Sequence, residues 1–262
     1  MLRPTNRLTG PLTVPLIEPL KGLSSRSRGG WSPFNLGSKL LAWWDASHGI
    51  TLSGNQVTAW ADRKNGHAAQ GVGSARPSWS ATSFGGAPGL VFDGVDDVLS
   101  LSGQPFPGGS AGSEIWAVVQ QDAQATDGAA RFVVSYGGLV SNDRRALGRF
   151  PVGGVNRPNI QYGTGSANTT VTSTVVDISG RHLLRGRFTT SAGASVSVDG
   201  GTAVNTTGTD APATATTRVS IGALTSLSSY WHGKIRDVVV TTPLTINEAD
   251  KLQTFLMSRR AV

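Results

Sequence analysis

Short runs of aromatic and β-branched residues, separated by glycine turns, occupy most of residues 40–241. Residues 195–198 alternate serine with valine and end at the Asp-Gly-Gly turn of residues 199–201, which is a strong hairpin signal. The chain holds 34 glycines and no cysteine. This pattern favours many short strands over helices. We therefore expect an all-β fold, and the 230 or so residues after the N-terminal segment suffice for one large core.

Motifs at the two ends of this region specify the fold further. At one end stand LLAWWDAS, VTAWAD and VFDGVDD, and at the other SIGA and WHGKIRDVVV, at residues 40–47, 57–62, 91–97, 220–223 and 231–240. In this order they resemble the first and last strands of the concanavalin A-like lectin/glucanase superfamily, in its laminin-G-like branch. The resemblance covers roughly residues 38–260. It implies a two-sheet antiparallel jelly-roll sandwich, in a domain spanning residues 31–262, of the type found in bacteriophage structural proteins.

A single helix is predicted near the C-terminus. Thr245 and Glu248 have the spacing of a capping box, in which each side chain bonds the other residue's backbone N–H. Ala249, Leu252, Phe255 and Leu256 fall on one face of the following helix. We expect this short helix to pack on the sandwich.

Residues 1–30 form a predicted extended arm. They carry five basic residues against one acidic residue, Glu18, and four prolines that prevent a long helix. Many large aliphatic residues distinguish the segment from a plain linker, although a disordered basic tail stays an alternative. We predict that the arm docks on another protein. The predicted docking residues are Arg3, Arg7, Leu12, Leu16, Ile17, Leu20, Arg26 and Arg28.

The glucanases of this superfamily have paired carboxylates in a Glu-x-Asp-x-x-Glu pattern on one strand, and this pattern is absent here. Retaining hydrolysis needs two carboxyl groups about 5 Å apart. Glu114 stands alone in its strand. The sequence therefore predicts a protein that is not an enzyme and has no catalytic residues.

Two further kinds of site are considered, one for calcium and one for a glycan. Asp93, Asp96 and Asp97 could bind Ca²⁺, but a turn is favoured because calcium needs about 6–8 oxygen ligands. No cofactor or metal is therefore expected. Trp79, Tyr230 and Trp231 are expected in loops, where exposed aromatic residues could stack on a glycan. Trp43, Trp60 and Trp116 lie in strand patterns and are expected in the core.

The net charge of +7 raises the question of nucleic acid, for which Arg144, Arg145, Arg149 and Arg157 could form a basic rim. The excess of basic over acidic residues outside the arm is small, so dedicated nucleic-acid binding is not expected. We find no secretory signal and no apolar run long enough to insert in a membrane.

Together these features predict a non-enzymatic virion protein of a phage or phage-like particle, assembled in the host cytoplasm. It would be a homo-oligomeric fibre, spike or decoration protein. Its arm would bind other virion proteins, and its lectin-like domain would attach to host surface polysaccharide. A bacterial carbohydrate-binding module or adhesin fragment is the first alternative, and an atypical glycosidase is the second.

Overall fold

The structure is a computed structural model. It describes residues 30–103, 106–107, 111–122, 128–139, 143–163, 168–175, 179–189, 193–206 and 218–261. Apart from Gly30, the predicted docking arm lies outside these described residues, and its role stays a prediction. Neither helix in the described ranges is both long and apolar enough to cross a membrane.

The described residues form seventeen strands, one 3-10 helix and one α-helix. The 3-10 helix is Pro33–Lys39 and the α-helix, α1, is Ile246–Arg260. The strands are β1 Leu40–Asp45, β2 Ile50–Ser53, β3 Gln56–Ala61, β4 Ala68–Gln70, β5 Ser78–Phe84, β6 Ala87–Asp93, β7 Leu99–Ser102, β8 Ser113–Gln121, β9 Arg131–Gly137, β10 Arg144–Val152, β11 Val155–Gly163, β12 Asn168–Thr172, β13 Arg181–Thr189, β14 Gly193–Val198, β15 Val204–Asn205, β16 Arg218–Ile221 and β17 His232–Thr241.

The strands pair antiparallel in two runs. In the first, β17 pairs with β1 and β6 along one edge and with β8 along the other, and β8 continues through β13 and β14 to β15. The second runs from β12 through β11, β10, β9, β16, β7, β4 and β3 to β2. β5 pairs with β6 of the first run, and the pair Gln56–Ser78 joins β3 to β5 and so links the two runs. The all-β antiparallel prediction is confirmed, but the pairings do not separate into two independent sheets.

The main core draws side chains from both runs, including Trp44, Trp60 and Phe92. A second cluster packs Trp43, Trp116 and Val239 of the first run against α1 and the 3-10 helix. Trp60 and Trp116 are fully buried and Trp43 nearly so, which confirms that these three residues belong to the core. The helix thus covers the side of the first run that faces away from the main core.

The predicted helix begins as expected. The Thr245 hydroxyl accepts a bond from the Glu248 N–H, and the Glu248 carboxylate accepts one from the Thr245 N–H at 2.9 Å. Lys39 donates to the same carboxylate at 2.6 Å. These bonds, that from Lys39 first, lower the pKa of Glu248 to about 2. The cap therefore also ties the start of α1 to the end of the 3-10 helix.

A bulge in β17 determines which side chains face the helix. The register of β17 against β8 shifts between Ile235 and Asp237. Strict alternation would place Asp237 on the same face as Ile235, which is in the main core. The extra residue turns the Asp237 carboxylate toward α1, where Arg259 Nε donates to it at 2.7 Å.

Candidate functional site

Trp79 lies in β5 and not in a loop, which corrects the sequence prediction. It stands opposite Leu90 of β6, and its ring packs against the main core while staying partly exposed. Its indole Nε1 donates to the Ala46 carbonyl at 2.8 Å. That bond satisfies the one polar atom of the ring and fixes its orientation, so its exposed area is available for apolar stacking.

The exposed part of Trp79 lines a cavity of about 230 Å³. The other lining residues follow β1 in the chain: Ala46, Ser47, His48, Gly49, Ile50 and Leu52. This volume is below the roughly 300–1,000 Å³ of pockets for drug-sized ligands and suits a group as small as a single sugar ring. Gly49 has φ +68°, and a side chain there would collide with the Ala61 carbonyl, so glycine is required at the turn that forms the cavity wall.

Asp45 supports the polar side of this cavity from beneath. The buried carboxylate accepts bonds from the Ser47 hydroxyl at 2.5 Å, from Arg63 at 2.8 Å and from Arg259 at 2.5 Å. Burial acts to raise the pKa of Asp45, but Arg259, Ser47 and His48 outweigh burial and hold that pKa below its ordinary value. Asp45 is therefore an anion that fixes the surrounding donors.

One of those donors is His48, whose side chain is 54% exposed. Its Nδ1 lies 3.2 Å from Asp45 Oδ2. Because an ionised carboxylate can only accept, Nδ1 donates to it, and Nε2 is left for a ligand, as an acceptor whenever the ring is neutral. The Ser47 hydroxyl also donates to Asp45 and keeps its lone pairs for a ligand. The cavity thus offers acceptors beside an aromatic face, an arrangement that suits the hydroxyl groups of a neutral sugar.

The predicted platform of Trp79, Tyr230 and Trp231 does not form. Trp231 is fully buried in the main core, because its backbone N–H donates to the Gly222 carbonyl at 2.7 Å and draws the residue inward. Tyr230 is partly exposed, and its hydroxyl donates to the Leu227 carbonyl at 2.6 Å. It bridges to Phe132 of β9, whereas Trp79 pairs with β6. Of the three residues, Trp79 alone lines the cavity just described.

The aspartates that follow β6 form a compact turn. Asp93 accepts from the Val95 N–H at 2.8 Å, and Asp97 accepts from the Asp93 N–H at 2.8 Å. Carboxylate oxygens of Asp93, Asp96 and Asp97 lie within 4.8 Å of one another. Burial raises the pKa of Asp97 to about 6. Three carboxylates are fewer ligands than calcium usually takes, and the absence of a metal requirement stays a prediction.

Glu114 and Glu248 are both bound to structural partners. Glu114 is fully buried and forms ion pairs with Arg185 at 3.0 Å and with Arg187 at 3.5 Å. Burial raises its pKa despite these cations. Its Oε1, which faces Arg187, also accepts from the Leu244 N–H at 3.2 Å, just before α1. Glu114 therefore connects β8 and β13 to the start of α1, and Glu248 connects α1 to the 3-10 helix.

The arginines considered as a basic rim are mostly enclosed. Arg145 and Arg149 are fully buried in β10 and Arg144 is 6% exposed, so these three do not form an open rim.

Nothing in the sequence indicated that Ser47, His48 or Leu52 would line a cavity, since the stretch after Asp45 has the composition of an ordinary turn. Their role depends on Trp79 being brought against them by strand pairing.

The sequence matches no protein-family model and no curated protein. Its fold is similar to domain 4 of a GH43 extracellular arabinanase from Geobacillus stearothermophilus, in complex with arabinotriose, with TM-score 0.59 and 12% identity over 82% of this chain and 98% of that one. It is also similar to Trypanosoma rangeli sialidase, with TM-score 0.57 and 17% identity over 84% of this chain. A third similar structure is the binding domain of botulinum neurotoxin serotype G, with TM-score 0.54 and 9% identity over 84% of this chain.

These comparisons correct the prediction that the chain is not an enzyme. Chains that share this fold include glycosidases and a sialidase, so the fold gives no ground for excluding enzymatic activity. The chain spans 33% of the sialidase chain and 51% of the neurotoxin chain. At these identities the likeness establishes the fold and does not transfer an activity.

Proposed function

We propose that this chain binds glycans through the cavity at Trp79, which we name the Trp79 pocket and define by Trp79, Ser47, His48 and the other lining residues given above. The observation that carries the proposal is an indole ring fixed by its bond to Ala46 at the side of a sugar-sized cavity, with hydrogen-bond acceptors next to it. Stacking on an aromatic face together with a few placed polar groups is how small polar ligands are commonly held.

The fold supports this proposal. Two strand runs share one core, and the C-terminal helix covers the outer side of the first run. As part of the proposal we take the two runs as the faces of a jelly-roll sandwich of the concanavalin A-like type, which the sequence resemblance supports. The arabinanase domain of similar fold is in complex with arabinotriose, which favours a glycan partner for a chain of this architecture.

Replacing Trp79 by leucine is expected to weaken binding of a neutral oligosaccharide about five- to tenfold, because the stacking surface is worth ~1 kcal/mol. The ligand would be selected from a glycan array that includes arabinotriose, and its affinity measured by titration calorimetry. Trp31→Leu is the matched control, since Trp31 is also a partly exposed tryptophan but packs on Phe255 of α1.

Equal losses in the two variants, or no neutral oligosaccharide bound by the wild-type chain, would contradict the proposal. Chromatography of the recovered oligosaccharide measures cleavage in the same experiment, because chains of similar fold include glycosidases. His48→Gln adds a test of the polar side, since glutamine keeps a hydrogen-bonding group but not the ring that Asp45 orients.

We further propose that the glycan-binding domain is carried on a phage or phage-like particle and is joined to it by residues 1–30. This part of the proposal depends on the sequence resemblance and on the basic, proline-containing composition of the segment. A bacterial carbohydrate-binding module or adhesin fragment is the alternative. Recovery of the protein in purified particles, rather than on a bacterial surface, distinguishes the two settings.

A chain starting at Gly30 is expected to be soluble and to melt cooperatively, but to lose incorporation into particles. The described strands and both helices lie after Gly30, so the core keeps all its elements. Folding is measured by circular dichroism and incorporation by cosedimentation with particles. An unfolded product would show that residues 1–29 belong to the domain, and normal incorporation would disprove the docking role.

A further inference from the structure

Two arginines lie on the side of the second strand run that faces away from the main core. Arg144 of β10 and Arg218 of β16 both stand opposite Gly137 of β9. Val219, next to Arg218, points into the main core, so Arg218 points outward, and Arg144 does the same next to the inward-facing Arg145. Because Gly137 lacks a side chain, no side chain of β9 separates the two guanidinium groups.

Both guanidinium groups bind consecutive residues of the loop that follows β16. Arg144 Nη1 donates to the Ser226 hydroxyl at 3.2 Å, and Arg218 Nη1 donates to the Thr225 carbonyl at 2.9 Å. Arg144 Nε donates to the Gln161 side chain at 3.1 Å. These contacts bring two like charges to one loop. They use Nε and Nη1 of Arg144, so its Nη2 is the nitrogen left to serve a ligand.

All three acceptors are uncharged. Within the described ranges, neither Arg144 nor Arg218 has an ion pair with a carboxylate. The neighbouring acid is Asp143; burial raises its pKa, and among the described residues it forms no ion pair with either arginine. Arg144 is only 6% exposed, and burial lowers its pKa. In the part of the chain that the structure describes, the two cations thus lack a carboxylate partner, and a bound anion would supply one.

We propose that Arg144 and Arg218, with the hydroxyls of Ser226 and Ser228, bind the carboxylate of an acidic sugar. A guanidinium group presents a planar set of donors that matches a carboxylate. The two serine hydroxyls lie 2.9 Å apart and can meet sugar hydroxyl groups beside the charge. The choice of a sugar rests on the proposed glycan binding, whereas the anion site stands on residues outside the Trp79 pocket.

The experiment compares trigalacturonate with its methyl ester, which has the same sugar scaffold without the charge. Calorimetry on the full chain at low salt should show trigalacturonate binding about tenfold more tightly than the ester, with an affinity that falls as salt is added. Arg218→Gln should remove about tenfold of the trigalacturonate affinity and leave the ester unchanged. Lys251→Gln is the matched control, because Lys251 is exposed on α1 and its replacement also removes one positive charge.

Equal binding of trigalacturonate and its ester, or equal losses in the Arg218 and Lys251 variants, would overturn the proposal. Competition by inorganic phosphate or sulfate without any trigalacturonate binding would also overturn it, since the site would then be one for those anions. Arg144→Lys, which keeps the charge but loses the planar donors, should lower the affinity too. If that variant does not fold, Ser226→Ala replaces it as the second test.

The two sites are separable in the same measurements. Trp79→Leu should leave the difference between trigalacturonate and its ester intact, because Trp79 contacts neither arginine. Loss of that difference in Arg218→Gln supports the anion site even when no neutral sugar binds at the Trp79 pocket. A merely structural role of Arg218 would lower the unfolding temperature without separating the two ligands.

Discussion

Replacing Arg259 by methionine is expected to lower the free energy of unfolding by about 3–5 kcal/mol. Arg259 donates to Asp237 at 2.7 Å and to Asp45 at 2.5 Å, and both carboxylates are fully or almost fully buried. Methionine has a similar volume, so the loss comes from removing the cation that two buried acids share, of which Asp45 keeps Arg63, and not from a cavity. Urea unfolding followed by tryptophan fluorescence measures the change.

Arg260→Met is the control for this prediction. Arg260 pairs with Asp199, and both side chains keep 24–30% of their exposure, so this pair is worth at most about 1 kcal/mol. Comparable losses for the two neighbouring arginines would contradict the burial argument.

The pH dependence of the free energy of unfolding adds a second measurement. Because the folded pKa of Asp45 is lowered, its contribution is present above its unfolded pKa of about 3.9 and is lost as the pH falls further.

Replacing Gly222 by alanine is expected to lower the free energy of unfolding by about 2–5 kcal/mol. Gly222 has φ +89°, in the left-handed region that favours glycine. An added methyl group would also overlap the ring of Phe92 and lie 3.1 Å from the Asp97 carbonyl. Phe92 belongs to the main core and cannot move without disturbing its neighbours. Thermal and urea unfolding measure the loss.

Gly86→Ala separates the two causes. Gly86 has a similar φ of +93°, but a methyl group there would meet no atom within 4 Å. It should therefore show only the backbone cost, about 1–2 kcal/mol. A loss at Gly222 no larger than that at Gly86 would mean that Phe92 accommodates the methyl group.

Local signals in the sequence were sufficient for some elements and insufficient for others. Thr245 and Glu248 identified the start of the helix because a capping box involves residues three apart. The strand containing Trp79 was missed because SWSATSF is polar and lacks an apolar alternation. The enclosure of Arg144, Arg145 and Arg149 in β10 was missed for a related reason, since arginines and glycine do not have the composition of a buried strand.

The site depended on contacts that are distant in the sequence. Trp231 was expected at the surface because serines and a tyrosine precede it, but its bond to Gly222 carries it into the core. The Trp79 pocket joins residues 46–52 to a strand about thirty positions later. The bulge at Asp237 places this side chain on the opposite face of the sheet from the one that strict alternation would assign. Pairing and register decide such features, and neither can be read from one segment alone.

The position of Asp45 gives the pocket a long-range dependence. The same carboxylate accepts from Ser47 and lies beside His48 at the cavity, while it also binds Arg259 in the last turn of α1. Any change that frees Arg259 removes a cation from Asp45, and the Asp45 carboxylate is the group that orients Ser47 and His48. If a glycan binds in the cavity as proposed, its occupancy and fraying of the helix end are linked, because coupling free energies are reciprocal. The terminal helical turn would then influence a ligand that it does not touch.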